Sequence, residues 1–410
     1  MIPALCRALA AKEGFHGNFR LTSWNIEHAD KLVTALASAD GTTRARADQR
    51  ADAIAEEIAA INPDILLVVE GPKGEARAGE FLQRVAPGYR LVRRGGEPRD
   101  YGTQGTQWMW FALRDGLSVA AQLVHLDRWR ALTEASSEGA HRGGRWEVSY
   151  PILDPGAQTL RFSVPESHGH YRHPQVLQLT IGSALVEIIG CHLKSKINSI
   201  PVPPGAEAPD FFDRNPALVA DVMMSRTKLT TECVDVRHYI DGRFLSEPDA
   251  AIIVAGDLND GPGKERVERR FLYHDLVDNL QGDIFFARRF LNHALFDFDE
   301  AARWSYDLGR DRLDPGRSPR ILLDHILFAQ ALTGPDRPGA AAYRARAGGG
   351  KVEHDIHYRV TSARPKHAAP SDHRPVTMVL DRRPCPSPDA RAASRRACRA
   401  ARIFQPCNTD

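Results

Sequence analysis

The sequence predicts an α+β sandwich. Strand-like apolar runs recur from Phe19 to Leu380, helical periodicity is confined to residues 44–61 and 217–240, and most runs follow one another without the helix that a doubly wound parallel sheet needs between strands. At 410 residues, with 42% hydrophobic and 26% charged, the chain can bury a substantial core and is neither wholly disordered nor a multi-span membrane protein.

Residues 19–24 (FRLTSW) read as a strand that stops at the polar group Asn25, Ile26, Glu27, His28. Ile54, Ile58 and Ile61 then fall four and three apart, which predicts a helix over 44–61 that Asn62-Pro63-Asp64 ends. The run ILLVV at 65–69 is a buried strand that delivers Glu70 at its C-terminal end. Further strands are expected at 89–94, 106–113, 176–181 and 184–194, a helix over 217–240, and strands at 251–256, 321–328 and 375–380. Residues 120–170, rich in Gly, Pro, Ser and Arg, and the Pro-rich 197–216 read as long loops of the kind that line sites. After Leu380 comes an Arg/Ala/Pro-rich tail, expected to be disordered over 382–410, and residues 1–18 read as a leader.

Lys+Arg is 54 against Asp+Glu 52, a formal charge of +2, so no global basic field announces a nucleic-acid partner and any polyanion site must come from local charge segregation. Cys6, Cys191, Cys233, Cys385, Cys398 and Cys407 form no CxxC pair, which argues against a disulfide framework or zinc ribbon and for a reducing compartment. Arg7 and Lys12 interrupt the apolar start before a signal-peptide core accumulates, and no later run is long enough to span a membrane, so cytoplasmic residence is expected.

Acidic, amide and imidazole groups collect at the ends of apolar strands: Asn25 with Glu27, Glu70, His192, Asp257 with Asn259, and Asp372 with His373. A rim of carboxylates suits Mg²⁺, which takes hard oxygen ligands and completes its shell with water and substrate phosphate. Each member alone is weak, since Asp-Leu-Asn after a strand is commonly a turn. Asp324, inside ILLDHILF, says more: a buried carboxylate costs several kcal/mol unless paired. His373 is the favoured partner, with neighbouring His325 or an exposed strand edge as alternatives. His168, His170 and His173 read as part of a polar loop rather than a transition-metal site, because no acidic or cysteine partner has matching spacing. On 217–240, Leu218, Val222, Leu229 and Val236 form the packing face; Arg226, Lys228, Arg237 and His238 are read as solvated, or as tracking phosphate.

The ordered set WNIE (24–27), VVEGP (68–72), GCHLKSK (190–196), AGDLNDGP (255–262), LLDHILF (322–328) and SDHRPV (371–376) resembles the endonuclease/exonuclease/phosphatase superfamily. That family includes pancreatic-type deoxyribonuclease, apurinic endonucleases, neutral sphingomyelinases and inositol polyphosphate 5-phosphatases. The resemblance implies a four-layer αββα sandwich of two mixed β-sheets with helices outside, over a catalytic domain at 19–381. It also implies a divalent-metal site of Asn25 and Glu70, with Glu27 and Asp372 in the acidic cluster. Asp257 would activate water, Asn259 would hold the water or the phosphate, and His192 would contact phosphate or assist the leaving group. Asp324 would orient His373 against the scissile phosphate. Arg172 in YRHPQ is similar to an Arg-Pro-Pro phosphate contact of family nucleases, although His173 intervenes before Pro174. Lys194 and Arg226 complete the expected phosphate-binding set.

GDLNDGPG lacks the aromatic and Arg that 5-phosphatases place after this core, and HLKSK resembles nuclease-like and bacterial members. The expectation is therefore a Mg²⁺-dependent phosphodiesterase, with Mn²⁺ as possible substitute, acting on DNA or RNA as a monomer without a protein partner. The alternatives are a lipid or small-molecule phosphoesterase, or a non-catalytic binding protein on the same fold.

Overall fold

The computed structural model describes residues 17–383 apart from 97, 138–140, 143–144, 182–183, 264, 272–274 and 335–341. Nearly all of the expected leader and tail lies outside those residues. The strands of the two main sheets are numbered here in chain order. The first sheet contains β1 (Asn18–Asn25), β2 (Ile65–Gly71), β3 (Tyr89–Leu91) and β4 (Trp108–Arg114). The second contains β5 (Ala120–Leu123), β6 (Gln175–Ile181), β7 (Ala184–His192), β8 (Ile252–Asp257), β9 (Leu291–His293) and β10 (Asp324–Ala329). The chain then returns to the first sheet with β11 (Tyr343–Ala345), β12 (Lys351–Val352) and β13 (Val376–Arg382).

The strand orders are β11-β13-β1-β2-β4-β3, with β12 also on β13, and β9-β10-β8-β7-β6-β5. Each sheet is mixed, with one parallel pair, β1/β2 or β7/β8, flanked by antiparallel neighbours. Alternation explains why the central strands read as unbroken apolar runs: Ile65, Leu67 and Val69 face the space between the sheets, while Leu66 and Val68 face the outer helices. Ile253 and Ala255 against Ile252 and Val254 repeat the pattern in β8. Both faces of both sheets are covered, so the expected αββα sandwich is the architecture observed.

Among the described residues, eight α-helices are numbered in chain order: α1 (Ala29–Leu36), α2 (Gly41–Ile61), α3 (Glu75–Val85), α4 (Leu126–Ser136), α5 (Pro216–Ser246), α6 (Arg266–Phe271), α7 (Leu276–Gln281) and α8 (His354–Ser362). On the outer face of the first sheet, α2 starts at Asp40, whose side chain accepts from the Thr42 and Thr43 N–H groups, and stops at Asn62 in the left-handed region. It buries Ala47, Ala51, Ile54 and Ile58 beside Phe81 and Leu82 of α3. On the second sheet, α5 buries Leu229, Val236, Tyr239, Ile240 and Phe244, each such side chain stabilising by roughly 1.5–3 kcal/mol.

Residues 197–216 hold turns, as expected, but 120–170 is not an irregular loop. It supplies β5, α4 and short strand pairs such as Pro151–Leu153 with Leu160–Phe162. Its low apolar content misled the reading because only one face of α4 is covered, around Leu126 and Trp129. Cys191 and Cys233 are buried and unbridged. Among the described residues no helix is long and apolar enough to cross a membrane.

Candidate active site

Because β1/β2 and β7/β8 are parallel and the sheets lie face to face, four strands end at one rim. Asn25 stands beside Val69, His192 beside Asp257, and Asp257 beside Asp324 across the antiparallel β8/β10 pair. The pairing of β2 with β4 shifts register between Val68 and Gly71, and the irregularity turns Glu70 toward the rim. Glu27, His28, Glu70 and Asn259 all have φ between 53 and 55°. Such left-handed backbone is costly for non-glycine residues and persists where surrounding contacts over-determine it.

Those contacts converge. Asn25 Nδ2 donates to Asp257 Oδ2 at 3.0 Å and to Glu70 Oε1 at 3.4 Å, while its Oδ1 accepts from the Glu27 N–H. Glu70 Oε2 accepts from the His28 N–H at 2.9 Å and faces His28 Nδ1 at 3.1 Å. His192 Nε2 lies 3.8 Å from both the Glu70 and the Asp257 carboxylates. Burial, with Arg172 adding to it, holds His192 well below its ordinary pKa, so its imidazole is neutral. Asp257 Oδ1 accepts from the Asn259 N–H at 2.9 Å, and Asn259 Nδ2 donates to the Leu193 carbonyl at 2.8 Å.

Opposite Asp257, the fully buried Asp324 carboxylate sits 2.7 Å from His373 Nδ1. This is the favoured pairing; His325 instead turns its Nε2 to the Asp260 carbonyl at 2.7 Å. His373 is fixed further by Trp24, whose Nε1 donates to its carbonyl, and by Ser371 Oγ, which accepts its N–H and donates to the Asn25 carbonyl. Burial would lower the His373 pKa, but Asp324 outweighs it and raises the value to about 10. Asp257 is pushed up to about 7, first by burial and then by the Asp324 charge.

A hard cation fits this donor set. Two buried or nearly buried carboxylates, Glu70 and Asp257, share the Asn25 amide and each accept one backbone N–H, from His28 and Asn259, and Asp324 Oδ1 is buried without a hydrogen-bond partner. Asp257, Asp324 and His373 each place a ligand atom within 4.8 Å of the others. The direct Asp324–His373 bond commits two members of that trio to each other, which leaves Asn25, Glu70 and Asp257 as the residues that could hold a cation. Glu27 and Asp372 lie at the solvent edge, each 45% exposed; Asp372 Oδ1 is 4.0 Å from His373 Nε2, and Glu27 is raised by burial and then by Asp372.

The basic residues divide. Arg172 donates to the carbonyls of His192 and Leu193 and to Gln107 Oε1, so it braces the His192 strand end from the rim. Lys194 is half-buried beside it, with burial lowering its pKa and Arg172 adding to the shift. Arg226 does not face this rim: it is 3% exposed and pairs with Glu265 and Glu268, which leaves its charge committed inside the protein. The histidine reading also changes. His170 Nε2 lies 2.9 Å from Asp235 Oδ2, and His168 and His170 flank Glu232 at 3.5 and 3.8 Å. The acidic partners missing from the local sequence come from α5.

Four contributors were not anticipated. His28 directly follows WNIE and was within reach of that motif. Gln107 and Arg50 carry no local signal; Arg50 ties the WNIE and SDHR loops by donating to the Ile26, Glu27 and Pro370 carbonyls. Tyr306 reaches His373 through a β-bridge and packs its ring 4.8 Å from the imidazole.

No protein-family model matches the sequence, and no curated relative does. The chain is similar to solved structures. Truncated TDP2 from Caenorhabditis elegans has 13% identity and a TM-score of 0.43, over 89% of this chain and 97% of that one. An endonuclease/exonuclease/phosphatase family protein from Bacteroides thetaiotaomicron has 14% identity and a TM-score of 0.43, over 90% and 98%. The human Nocturnin catalytic domain with bound sulfate has 14% identity and a TM-score of 0.38, over 90% and 96%. Likeness at this level decides nothing about chemistry, which rests on the geometry of the rim.

Proposed function

We propose that this chain is a divalent-metal-dependent phosphodiesterase of the endonuclease/exonuclease/phosphatase superfamily, a nuclease that hydrolyses DNA or RNA by attack of water. The observation that carries it is the Asp324–His373 pair set beside Asp257, with Asn25, Glu70 and His192 on the same rim. Asn25, Glu70 and Asp257, with Glu27 and Asp372 outside them, would hold Mg²⁺, or Mn²⁺ in its place. Bound there, the ion supplies Lewis-acid stabilisation of charge on the phosphate oxygens.

The protein's own groups supply the rest. Asp324 holds His373 Nδ1, which leaves Nε2 to donate to a phosphate oxygen as negative charge develops. Asp257, with one oxygen held by the Asn259 N–H, would take the proton from the attacking water. Neutral His192 can donate to the phosphate from the opposite wall, while Arg172 and Lys194 place positive charge behind it. The nuclease reading over other phosphoesterases is supported by HLKSK and by the residues that follow GDLN. A cytoplasmic setting belongs to the same proposal, on the cysteine pattern.

The test is Mg²⁺- and Mn²⁺-dependent hydrolysis of single-stranded and duplex DNA, RNA, bis-p-nitrophenyl phosphate, sphingomyelin and inositol phosphates by wild type and His373→Ala. Metal-dependent nucleic-acid cleavage lost in the variant is expected. Cleavage confined to lipid or small phosphoesters would replace the nuclease reading, and silence across the panel would remove the catalytic one.

A further inference from the structure

GCHLKSK and AGDLNDGP each continue past the residues used so far, and their last charged members meet. Lys196 Nζ is 12% exposed and contacts Asp260, with Glu268 at 2.6 Å and Glu265 at 3.3 Å. Arg226 of α5 pairs with Glu265 and lies 3.7 Å from Glu268, and Arg317 lies 3.2 Å from Glu265. Three cations and three carboxylates thus close a network, each side chain no more than 18% exposed. Burial works against the Lys196 charge, but its three carboxylates outweigh it and hold it firmly protonated.

Asp260 is the hub. Its Oδ1 takes Lys196, its Oδ2 accepts from the Leu276 N–H at 2.9 Å, and its carbonyl accepts from His325 Nε2 at 2.7 Å. Lys196 follows the end of β7, which carries His192. Asp260 follows Asn259 at the end of β8. His325 is next to Asp324 at the start of β10. One residue pair therefore connects three strand ends that carry site residues, without itself reaching the rim. We infer that Lys196, acting through Asp260, is a positioning residue that sets the spacing of His192, Asn259 and Asp324. The inference rests on the phosphodiesterase reading of that rim.

The physical basis is the steep dependence of catalysis on geometry, where a misplacement of about 1 Å can cost about 10²-fold. Lys196→Met alone leaves a buried carboxylate uncompensated and can simply unfold the chain, so Lys196→Met/Glu268→Gln, which removes one charge of each sign, is measured beside it, together with Lys196→Arg. Steady-state kinetics on bis-p-nitrophenyl phosphate with Mg²⁺ are combined with amide hydrogen exchange of the metal-free full chain. The double variant is expected to keep KM within about two-fold and lose about ten-fold or more in kcat, with Lys196→Arg recovering part of it. Exchange is expected to quicken at the Leu193 and Leu258 amides, which bond across these strand ends, and at the Asn259 amide, which bonds Asp257 Oδ1. A folded double variant with wild-type kcat, or with wild-type exchange at those amides, overturns the inference. If wild type hydrolyses no phosphodiester, the functional reading fails and exchange alone decides the positioning role.

Discussion

His373 Nδ1 and Asp324 Oδ2 are 2.7 Å apart, and the strand register that presents Asp324 also sets it beside Asp257. One buried carboxylate thus charges its histidine and raises its carboxylate neighbour. Asp324→Asn keeps the shape but removes both effects, and is expected to lower kcat by about 10²-fold with KM little changed. A folded variant with wild-type kcat would exclude the pair from catalysis.

Glu70 has one oxygen held by the His28 N–H and the other toward Asn25 and His192. Mg²⁺ binding to the folded state alone should raise the melting temperature, reaching about 2.7 kcal/mol of stabilisation at 100 times Kd. Glu70→Gln should abolish most of that rise.

The pH dependence of stability is expected to carry the signature of His170. Burial disfavours its charge, yet Asp235 and Glu232 raise it to about 9, above the ordinary 6.5. The folded state therefore binds the proton more tightly, so the stabilisation is complete below about pH 6.5 and is lost as pH rises through 9. The gain is at most about 3 kcal/mol. Urea denaturation of wild type and His170→Asn at pH 6, 8 and 10 should show a gap that closes with rising pH; a constant gap would assign His170 to packing alone.

Arg226 and Lys194 should separate cleanly. Arg226→Met breaks a buried pair and is expected to cost about 3 kcal/mol of stability without changing the salt slope of DNA affinity. Lys194→Met is expected to leave stability near wild type and reduce that slope by about 1. Matched denaturation curves and salt titrations decide it.

Gly256 has φ +141°, and a Cβ there would lie 1.9 Å from the Cys191 carbonyl oxygen. The parallel β7/β8 contact that aligns His192 with Asp257 requires glycine at this point. Gly256→Ala is expected to destabilise by about 3 kcal/mol or more, read as a fall in denaturation midpoint.

The sequence by itself determined the sandwich and most of the rim. Unbroken apolar runs and a carboxylate inside ILLDHILF are local signals, and Asp324 needed a partner wherever the chain went. What only the tertiary structure decided lies in contacts between distant segments. His168 and His170 read as polar-loop residues without acidic partners until α5 supplied Glu232 and Asp235. Arg226 read as a surface cation until Glu265 and Glu268 closed over it. Lys196 closed the HLKSK motif, but nothing local tied it to Asp260, Glu265 and Glu268. A side chain's charge is written in the sequence, but whether that charge meets water, phosphate or a buried counter-ion depends on which segments the sheets bring together.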